Sequence, residues 1–464
     1  MKYNIEYYLK NSEIASKEFA TFTQKQVDLI VEAVAKIGIE YSEEFAKLAV
    51  EETGMGKWED KVEKNLLSTQ YIYEDIKNLK TVGVISNNKE SQIMEIAHPL
   101  GPILAIIPVT NPTSTLMFKI LIALKTRNPI IISLPFRAKK VCSYVAKKLL
   151  EVAIETGAPK NVIQWVSTPN REMTRLMMRD NRLALILATG GKSLVTAAYS
   201  SGTPALGVGP GNVPVLIDSS FDIKFAVEQI IRSKTFDNGT ICASEQAIII
   251  EKKKTKELLK ALEDANAYLL KEQEIPRLEE VVYDKKRENM SGEIVGKSAN
   301  YIANLANINV PENTSLLVAK QTKIGKEYPL SSEILAPVIA LYEVADFSEA
   351  LKIAMKINQH GGKGHTATIF SNDESKIREY SICMDASRII VNSPSSQGAV
   401  GGLCNNLSPS LTLGCGSGGR TSTTDNISAR HLLNIQRIAK PKIKKKSFDF
   451  KNLFLKSEKV QAVI

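Results

Sequence analysis

Apolar and polar positions follow two rhythms along this chain, and the rhythm changes near Leu100. Residues 14–50 carry helical spacing: Ile30, Val34 and Ile37, then Phe45, Leu48 and Ala49, with good helix formers between. Gly54 and Gly56 in EETGMGKWED break this pattern, and a further amphipathic helix is predicted over 61–78. Residues 81–85 and 92–96 predict a hairpin across SNNKES, whose Asn and Ser favour turns. Beyond Leu100, short apolar runs alternate with helical stretches. PILAIIPV (102–109), PIIISLP (129–135), NVIQWVS (161–167) and ALILATGG (184–191) predict buried strands, and ALGVGPGNVPVLID (205–218) closes the series. The pattern then repeats as helix 222–235, strand 245–251, helix 254–266, strands 315–319 and 336–343, helix 347–358, and strands 366–370 and 387–391. Apolar strands alternating with helices imply parallel sheets covered on both faces. The fold class is therefore α/β, with two doubly wound domains meeting near 213–218.

A chain of 464 residues has room for two or three domains. Its 44% hydrophobic and 24% charged content is that of an ordinary globular protein. No apolar run reaches the roughly 18–20 residues of a membrane span. MKYNIEYYLKNSE has acids and no apolar core, so it does not read as a secretory signal. Cys142, Cys242, Cys383, Cys404 and Cys415 are odd in number and lack metal-type spacing, which suggests free thiols in a reducing cytoplasm and no metal site. The net charge of +10 is concentrated at one end. From Arg437 onward nine Lys and Arg face only Asp449 and Glu458, so +7 sits there and the body is nearly balanced. That distribution gives no reason to expect a nucleic-acid partner. The basic stretch reads as a solvated, mobile terminus.

Candidate chemistry centres on TFDNGTICASEQAIII (235–250). It sets Cys242 in a turn of small polar residues directly before an apolar strand. A thiol there is open to a small carbonyl compound, although a lone cysteine is also a common core residue. Asn111, in Thr110-Asn111-Pro112 after a buried strand, can donate to an oxyanion or simply form a turn. Thr189-Gly190-Gly191, between strand and helix, lets backbone approach a pyrophosphate, though two glycines also suit an ordinary turn. The full G-x-G-x-x-G fingerprint is absent. GVGPGNVP (207–214) reads as a loop lining a cleft.

In this order and spacing these segments resemble the aldehyde dehydrogenase superfamily, and more narrowly its coenzyme A-acylating branch. That branch includes the acetaldehyde dehydrogenase half of bifunctional aldehyde–alcohol dehydrogenases. The resemblance covers about 15–440 and rests on TNPTST (110–115), ALKTRN (123–128), ATGG (188–191), AAYSSGTPALGVGPGN (197–212), FDNGTICASEQ (236–246), GHT (364–366), PSSQG (394–398) and PSLTLGCGS (409–417).

By resemblance, Cys242 is the nucleophile, and Asn111 with the Cys242 backbone N–H forms the oxyanion hole. Thr110, Ser133, Arg137, Thr189, Gly190, Gly191, Gly207, Val208 and Gly209 line the cofactor site, and Glu333 holds the nicotinamide ribose. His365 in GKGHT is the candidate base for Cys242, with a structural turn histidine as the alternative. Hydrolytic relatives carry a water-activating glutamate in E-L-G-G-K. The equivalent stretch here, Leu206 to Gly211, has no carboxylate, which favours thiol exchange with CoA over hydrolysis.

The implied reaction takes an aldehyde, CoA and NAD(P)+ to acyl-CoA and NAD(P)H, with acetaldehyde first. Succinate semialdehyde, sulfoacetaldehyde and propionaldehyde are alternatives, and a non-catalytic scaffold using the basic end is the alternative of another class. Two departures stand out. Family members often read S-P-H-P-R where this chain has Ser133-Leu134-Pro135-Phe136-Arg137, so a histidine near the adenosine site is missing, which leaves NAD or NADP open. Relatives usually read G-C-G-S-W-G-G-N where this chain has Gly414 to Thr421, so an aromatic ring is lost and the Arg420 guanidinium gained, which at the substrate mouth would suit an anionic aldehyde and in an interface loop would simply be solvated.

The expected organisation is a cofactor-binding domain from 1–80 and 98–213, a catalytic domain from 214–424, a small β oligomerisation arm from 81–97 and 425–440, and a basic tail from 441–464. A homo-oligomer is expected. So is a downstream alcohol dehydrogenase partner, because the iron-dependent half of the bifunctional relatives is absent.

Overall fold

The computed structural model describes residues 4–168, 170–286 and 288–441, so the basic stretch from 442 onward lies outside the described residues. Five short strands form a parallel sheet in the order Ile163–Val166, Ile130–Ser133, Ile103–Ile106, Leu185–Thr189, Ala205–Val208. Their apolar residues alternate between two cores. Ile103, Ala105, Ile130 and Ile132 pack with Val27, Val34 and Leu121 on one face, while Leu104, Ile106 and Ile131 pack with Met173 and Met177 on the other. Burial on both faces explains why these strands are continuously apolar rather than alternating with polar residues. The helix Pro112–Lys125 is buried at every position.

A second parallel sheet has seven strands: Ala267–Leu269, Leu316–Lys320, Val338–Val344, Glu245–Glu251, Val213–Ile217, Gly364–Phe370, Ala386–Val391. Ile248 and Ile250 face the helices Ile223–Thr235 and Thr255–Asp264, and Ala247 and Ile249 face Phe347–Gly361. The predicted hairpin forms as Gly83–Asn88 with Ile93–Pro99, and Leu433–Ala439 adds a third antiparallel strand beside it.

Three sequence expectations need correction. The stretch 205–218 is not one closing element. Ala205–Val208 ends the first sheet and Val213–Ile217 enters the second, so the chain changes sheets at 209–212. The helix expected over 61–78 is Trp58–Leu66, then a wide turn Leu67–Tyr71, then Ile72–Ile76. Ser68 Oγ and Thr69 Oγ1 both donate to the Asn65 carbonyl, at 2.8 and 2.7 Å, and this side-chain competition opens the helix there. The helical region 14–50 is really three helices, Ile5–Phe19, Gln24–Glu40 and Ser42–Thr53, and the first begins in a stretch where no helix was predicted.

The alternation of cores makes Ile248 a test of the second sheet. It is fully buried between flanking strands, so Ile248→Ala is expected to cost about 2–5 kcal/mol, read as a lower urea midpoint by circular dichroism.

Candidate active site

The helix Ile223–Thr235 stops at Phe236, and the next three residues, Asp237, Asn238 and Gly239, all have positive φ (49°, 52° and 73°). Asp and Asn tolerate this region better than other side chains. Gly239 is required, because a Cβ there would lie 2.9 Å from the Ala336 backbone. This tight reversal delivers Thr240, Ile241 and Cys242 to the head of the strand Glu245–Glu251.

The reversal is anchored from the first sheet's side of the molecule. The buried Asp237 carboxylate accepts from Lys57 N at 2.8 Å, Lys61 Nζ at 2.8 Å and Thr240 Oγ1 at 2.6 Å, and it also pairs with Lys64. Lys64 Nζ further donates to Thr240 Oγ1 at 2.9 Å and to Asn111 Oδ1 at 2.7 Å. Burial pulls the Lys64 ammonium down to about 8, with Asp237 opposing the shift. Asn111 begins the helix Pro112–Lys125 without capping it. Its Nδ2 instead reaches Thr110 Oγ1 and Thr240 O, each at 3.2 Å.

Cys242 is half-buried, and His365 Nε2 lies 3.2 Å from its sulfur. The imidazole is fully buried, and its Nδ1 is 2.9 Å from Thr366 Oγ1. With the proton on Nδ1 donated to that hydroxyl, Nε2 is free to take the thiol's proton. Burial, aided by Arg388, pushes the imidazole down to about 3, so it is neutral at physiological pH. Burial also pushes the Cys242 thiol up to about 12, with Glu333 and Cys415 adding to the shift and Arg388 opposing it. The Arg388 guanidinium bonds the carbonyls of His365 and Gly414, at 2.8 and 2.7 Å. Glu333 Oε1 accepts from Gly211 N at 3.0 Å, and burial raises its carboxyl to about 7 against the pull of Lys234.

Two openings lie on either side of Val208 and Gly209, and Cys242 lines the first. One is apolar, with Cys242 and Asn111 beside Phe236, Ile241, Val400 and Leu413. Thr189 and Val208 also reach it, and Glu63 contributes a carboxylate. The other is polar and includes Gly209, Lys192, His360, Lys363, Arg420 and Cys415. Val208 and Gly209 are consecutive, so the end of one strand divides the two spaces. Space at the second opening suits a phosphate-bearing group: a Cβ at Gly191 or Gly209 would meet nothing within 4 Å, and Gly191 starts the helix Lys192–Tyr199.

Of the residues singled out in the sequence, Cys242, His365, Asn111, Thr110, Thr189, Val208, Gly209 and Glu333 come together here. Gly190 and Gly191 flank the second opening. Gly207 is packed away, its N–H donating to Tyr199 OH at 2.9 Å. Ser133 ends the neighbouring strand and bonds Thr174 at 2.9 Å, and Arg137 lies exposed in the short helical turn Phe136–Ala138 that follows. Arg420, weighed as a recognition group for an anionic aldehyde, lines the polar opening and not the apolar one. Sequence reasoning missed Lys61, Lys64, Asp237 and Arg388. Their only signal is charge on faces that turn out to be buried, which a single sequence does not display.

Residues 2–403 match the aldehyde dehydrogenase family. The aldehyde-alcohol dehydrogenase of Clostridium acetobutylicum is 46% identical over 435 residues, which is 93% of this chain and 50% of that protein. The chain therefore spans about half the length of such relatives. The succinate-semialdehyde dehydrogenase (acetylating) of Clostridium kluyveri is 37% identical, covering 94% of this chain and 95% of that protein. The crystal structure of an acetylating aldehyde dehydrogenase from Geobacillus thermoglucosidasius superposes with a TM-score of 0.92 at 43% identity, over 96% of this chain and 98% of that one. A thiol at an imidazole, set on an apolar opening and carried by this pair of sheets, agrees with that match: the chain belongs to the aldehyde dehydrogenase family.

Proposed function

We propose that the chain is a CoA-acylating aldehyde dehydrogenase, taking a short uncharged aldehyde, CoA and NAD(P)+ to acyl-CoA and NAD(P)H, with acetaldehyde as first substrate. The observation that carries this reading is the 3.2 Å contact between Cys242 Sγ and His365 Nε2, with the thiol on the apolar opening. An aldehyde enters on the apolar side. As sulfur attacks its carbonyl carbon, the thiol proton passes to His365 Nε2, and the alkoxide faces Asn111 Nδ2 and the Cys242 N–H. Bound NAD(P)+ would be held by Thr189, Gly190, Gly191 and Glu333, and its chemistry is to accept the hydride of the thiohemiacetal. The resulting thioester stays on Cys242 until a CoA thiol takes it, with Lys192, Lys363 and Arg420 offering charge to the phosphates of CoA. The first proton leaves His365 to solvent once the hydride has gone, and the neutral imidazole then takes the proton of the CoA thiol and passes it to the departing Cys242 sulfur. Leu206 to Gly211 supplies no carboxylate to activate water.

We infer further that the three-stranded sheet is an oligomerisation arm, since Val84 and Ile438 are exposed on it. A cytoplasmic setting is consistent with five free cysteines, and among the described residues no helix is long and apolar enough to cross a membrane. An acidic aldehyde is the second reading, favoured by the end-to-end match to the Clostridium kluyveri relative. Glu63 at the apolar opening argues against it, because a second carboxylate would be repelled there.

Three measurements test this. With acetaldehyde and NAD+, reduced cofactor should form in quantity only when CoA is present, and Cys242→Ala should lower the rate by at least about a thousandfold with the fold intact by circular dichroism. CoA-independent turnover would refute the reading. Glu63→Gln should raise kcat/KM for succinate semialdehyde relative to acetaldehyde by about tenfold. The third uses the charge beside the thiol. Above pH 7 Glu333 is ionised and disfavours the thiolate, so Glu333→Gln should speed iodoacetamide alkylation of Cys242 several-fold at pH 8.5. Below pH 6 the native carboxyl is protonated and the two rates should converge, followed by peptide mass spectrometry because Cys404 is also exposed.

A further inference from the structure

An asparagine amide presents a donor at one end and an acceptor of nearly the same shape at the other. Only the N–H end can stabilise a developing alkoxide; the carbonyl end would repel it. Something must therefore settle which end of Asn111 faces the reacting carbon. The Asn111 backbone does not, and its side chain takes no part in capping the helix it begins. Lys64 does, because an ammonium only donates, and it lies 2.7 Å from Asn111 Oδ1. With the oxygen turned to Lys64, Nδ2 points toward Thr240 O and Thr110 Oγ1. Both contacts are 3.2 Å, long enough to leave an N–H available to a stronger acceptor.

Lys64 is itself fixed. Its side chain is 3% exposed, and its three N–H bonds have three acceptors: Asn111 Oδ1, Asp237 Oδ2 and Thr240 Oγ1. The Phe236 ring lies 5.5 Å from the ammonium. One cation thus ties the amide that follows a strand of the first sheet to the loop that carries the thiol into the second. Asp237 would not be stranded without it, since Lys61 Nζ and Lys57 N still reach that carboxylate.

We propose that Lys64 is a positioning residue for the aldehyde chemistry, its ammonium holding the Asn111 amide with the N–H end toward the alkoxide. This rests on the acylating aldehyde dehydrogenase reading, and it predicts that Lys64 acts through Asn111 and not on the nucleophile. The experiment is a double-mutant cycle on the full chain with acetaldehyde, NAD+ and CoA, using Lys64→Met, Asn111→Ala and the pair.

Lys64→Met should lower kcat roughly a hundredfold, with KM for acetaldehyde within about threefold. Asn111→Ala should lower kcat by about 10²–10³-fold, and adding Lys64→Met to it should cost less than about threefold more. Iodoacetamide should alkylate Cys242 in Lys64→Met at close to the native rate, which a collapse of the loop would not allow. Multiplicative losses in the pair, native kcat in Lys64→Met, or an alkylation rate that falls with kcat would each overturn the role of Lys64. Native chain that makes no reduced cofactor with CoA present would overturn the functional reading itself, and the two failures are distinguished by that reference assay.

Discussion

The carboxylate of Asp237 is buried among Lys57, Lys61 and Lys64, residues that precede the first sheet, while Asp237 itself belongs to the loop that feeds the second. Two sheets that share no strand are brought into one alignment by this group, and the cysteine follows five residues later. Burying such ions is expensive, and apolar replacements of the whole set are often neutral, so its worth is not bulk stability. Its worth is registry. An apolar contact between helix Trp58–Leu66 and the loop could slide, whereas a carboxylate shared by two ammonium groups and a backbone N–H has one satisfactory place. The two consecutive left-handed side chains, each costing about 1 kcal/mol or more, persist because the surrounding bonds over-determine them.

Desolvation acts on the thiol and the imidazole in opposite senses and thereby leaves both neutral. Raising Cys242 and lowering His365 makes a preformed thiolate–imidazolium pair unfavourable, unlike the charged pairs of many reactive cysteines. In the proposed reaction the proton then moves as the carbon–sulfur bond forms, not before. Arg388 contributes a steady positive field from behind the imidazole, where it holds the His365 and Gly414 carbonyls. That field opposes protonation of the ring and eases charge on sulfur, so one guanidinium acts in opposite senses on the two ends of a proton transfer from Cys242 to His365.

Much of this was legible in the chain, and the unread part has physical reasons. The short apolar strands stood out because a parallel sheet buries both faces, and Cys242 and Asn111 stood out because each sits in a polar turn beside a strand, whereas His365 lies inside the start of the strand Gly364–Phe370. The division of 205–218 between two sheets was not legible, since an apolar run carries no mark of which neighbours it pairs with. The widened turn after Leu66 depends on two hydroxyls returning to Asn65, a choice made only once Asn65 is itself held by Ser42 O and Thr113. Lys64 and Asp237 are 173 residues apart and have no local signature. Arg388 looks like an ordinary strand residue until its carbonyl partners are folded against it.

The absent water-activating base has a steric side as well as a chemical one. Gly207 lies in the strand Ala205–Val208, and a Cβ built on it would sit 3.0 Å from the Ala188 carbonyl oxygen and 3.4 Å from Val195. A side chain at that position would press on the Ala188 carbonyl and the Val195 side chain, which would have to give by a few tenths of an ångström. One residue on, Val208 presents an apolar side chain to the opening that holds the thiol. Both positions therefore discourage an ordered, polarised water there, one by lack of room and the other by lack of a partner. In the proposed reaction a thioester in such a place would decay slowly by hydrolysis, which leaves its removal to another thiol.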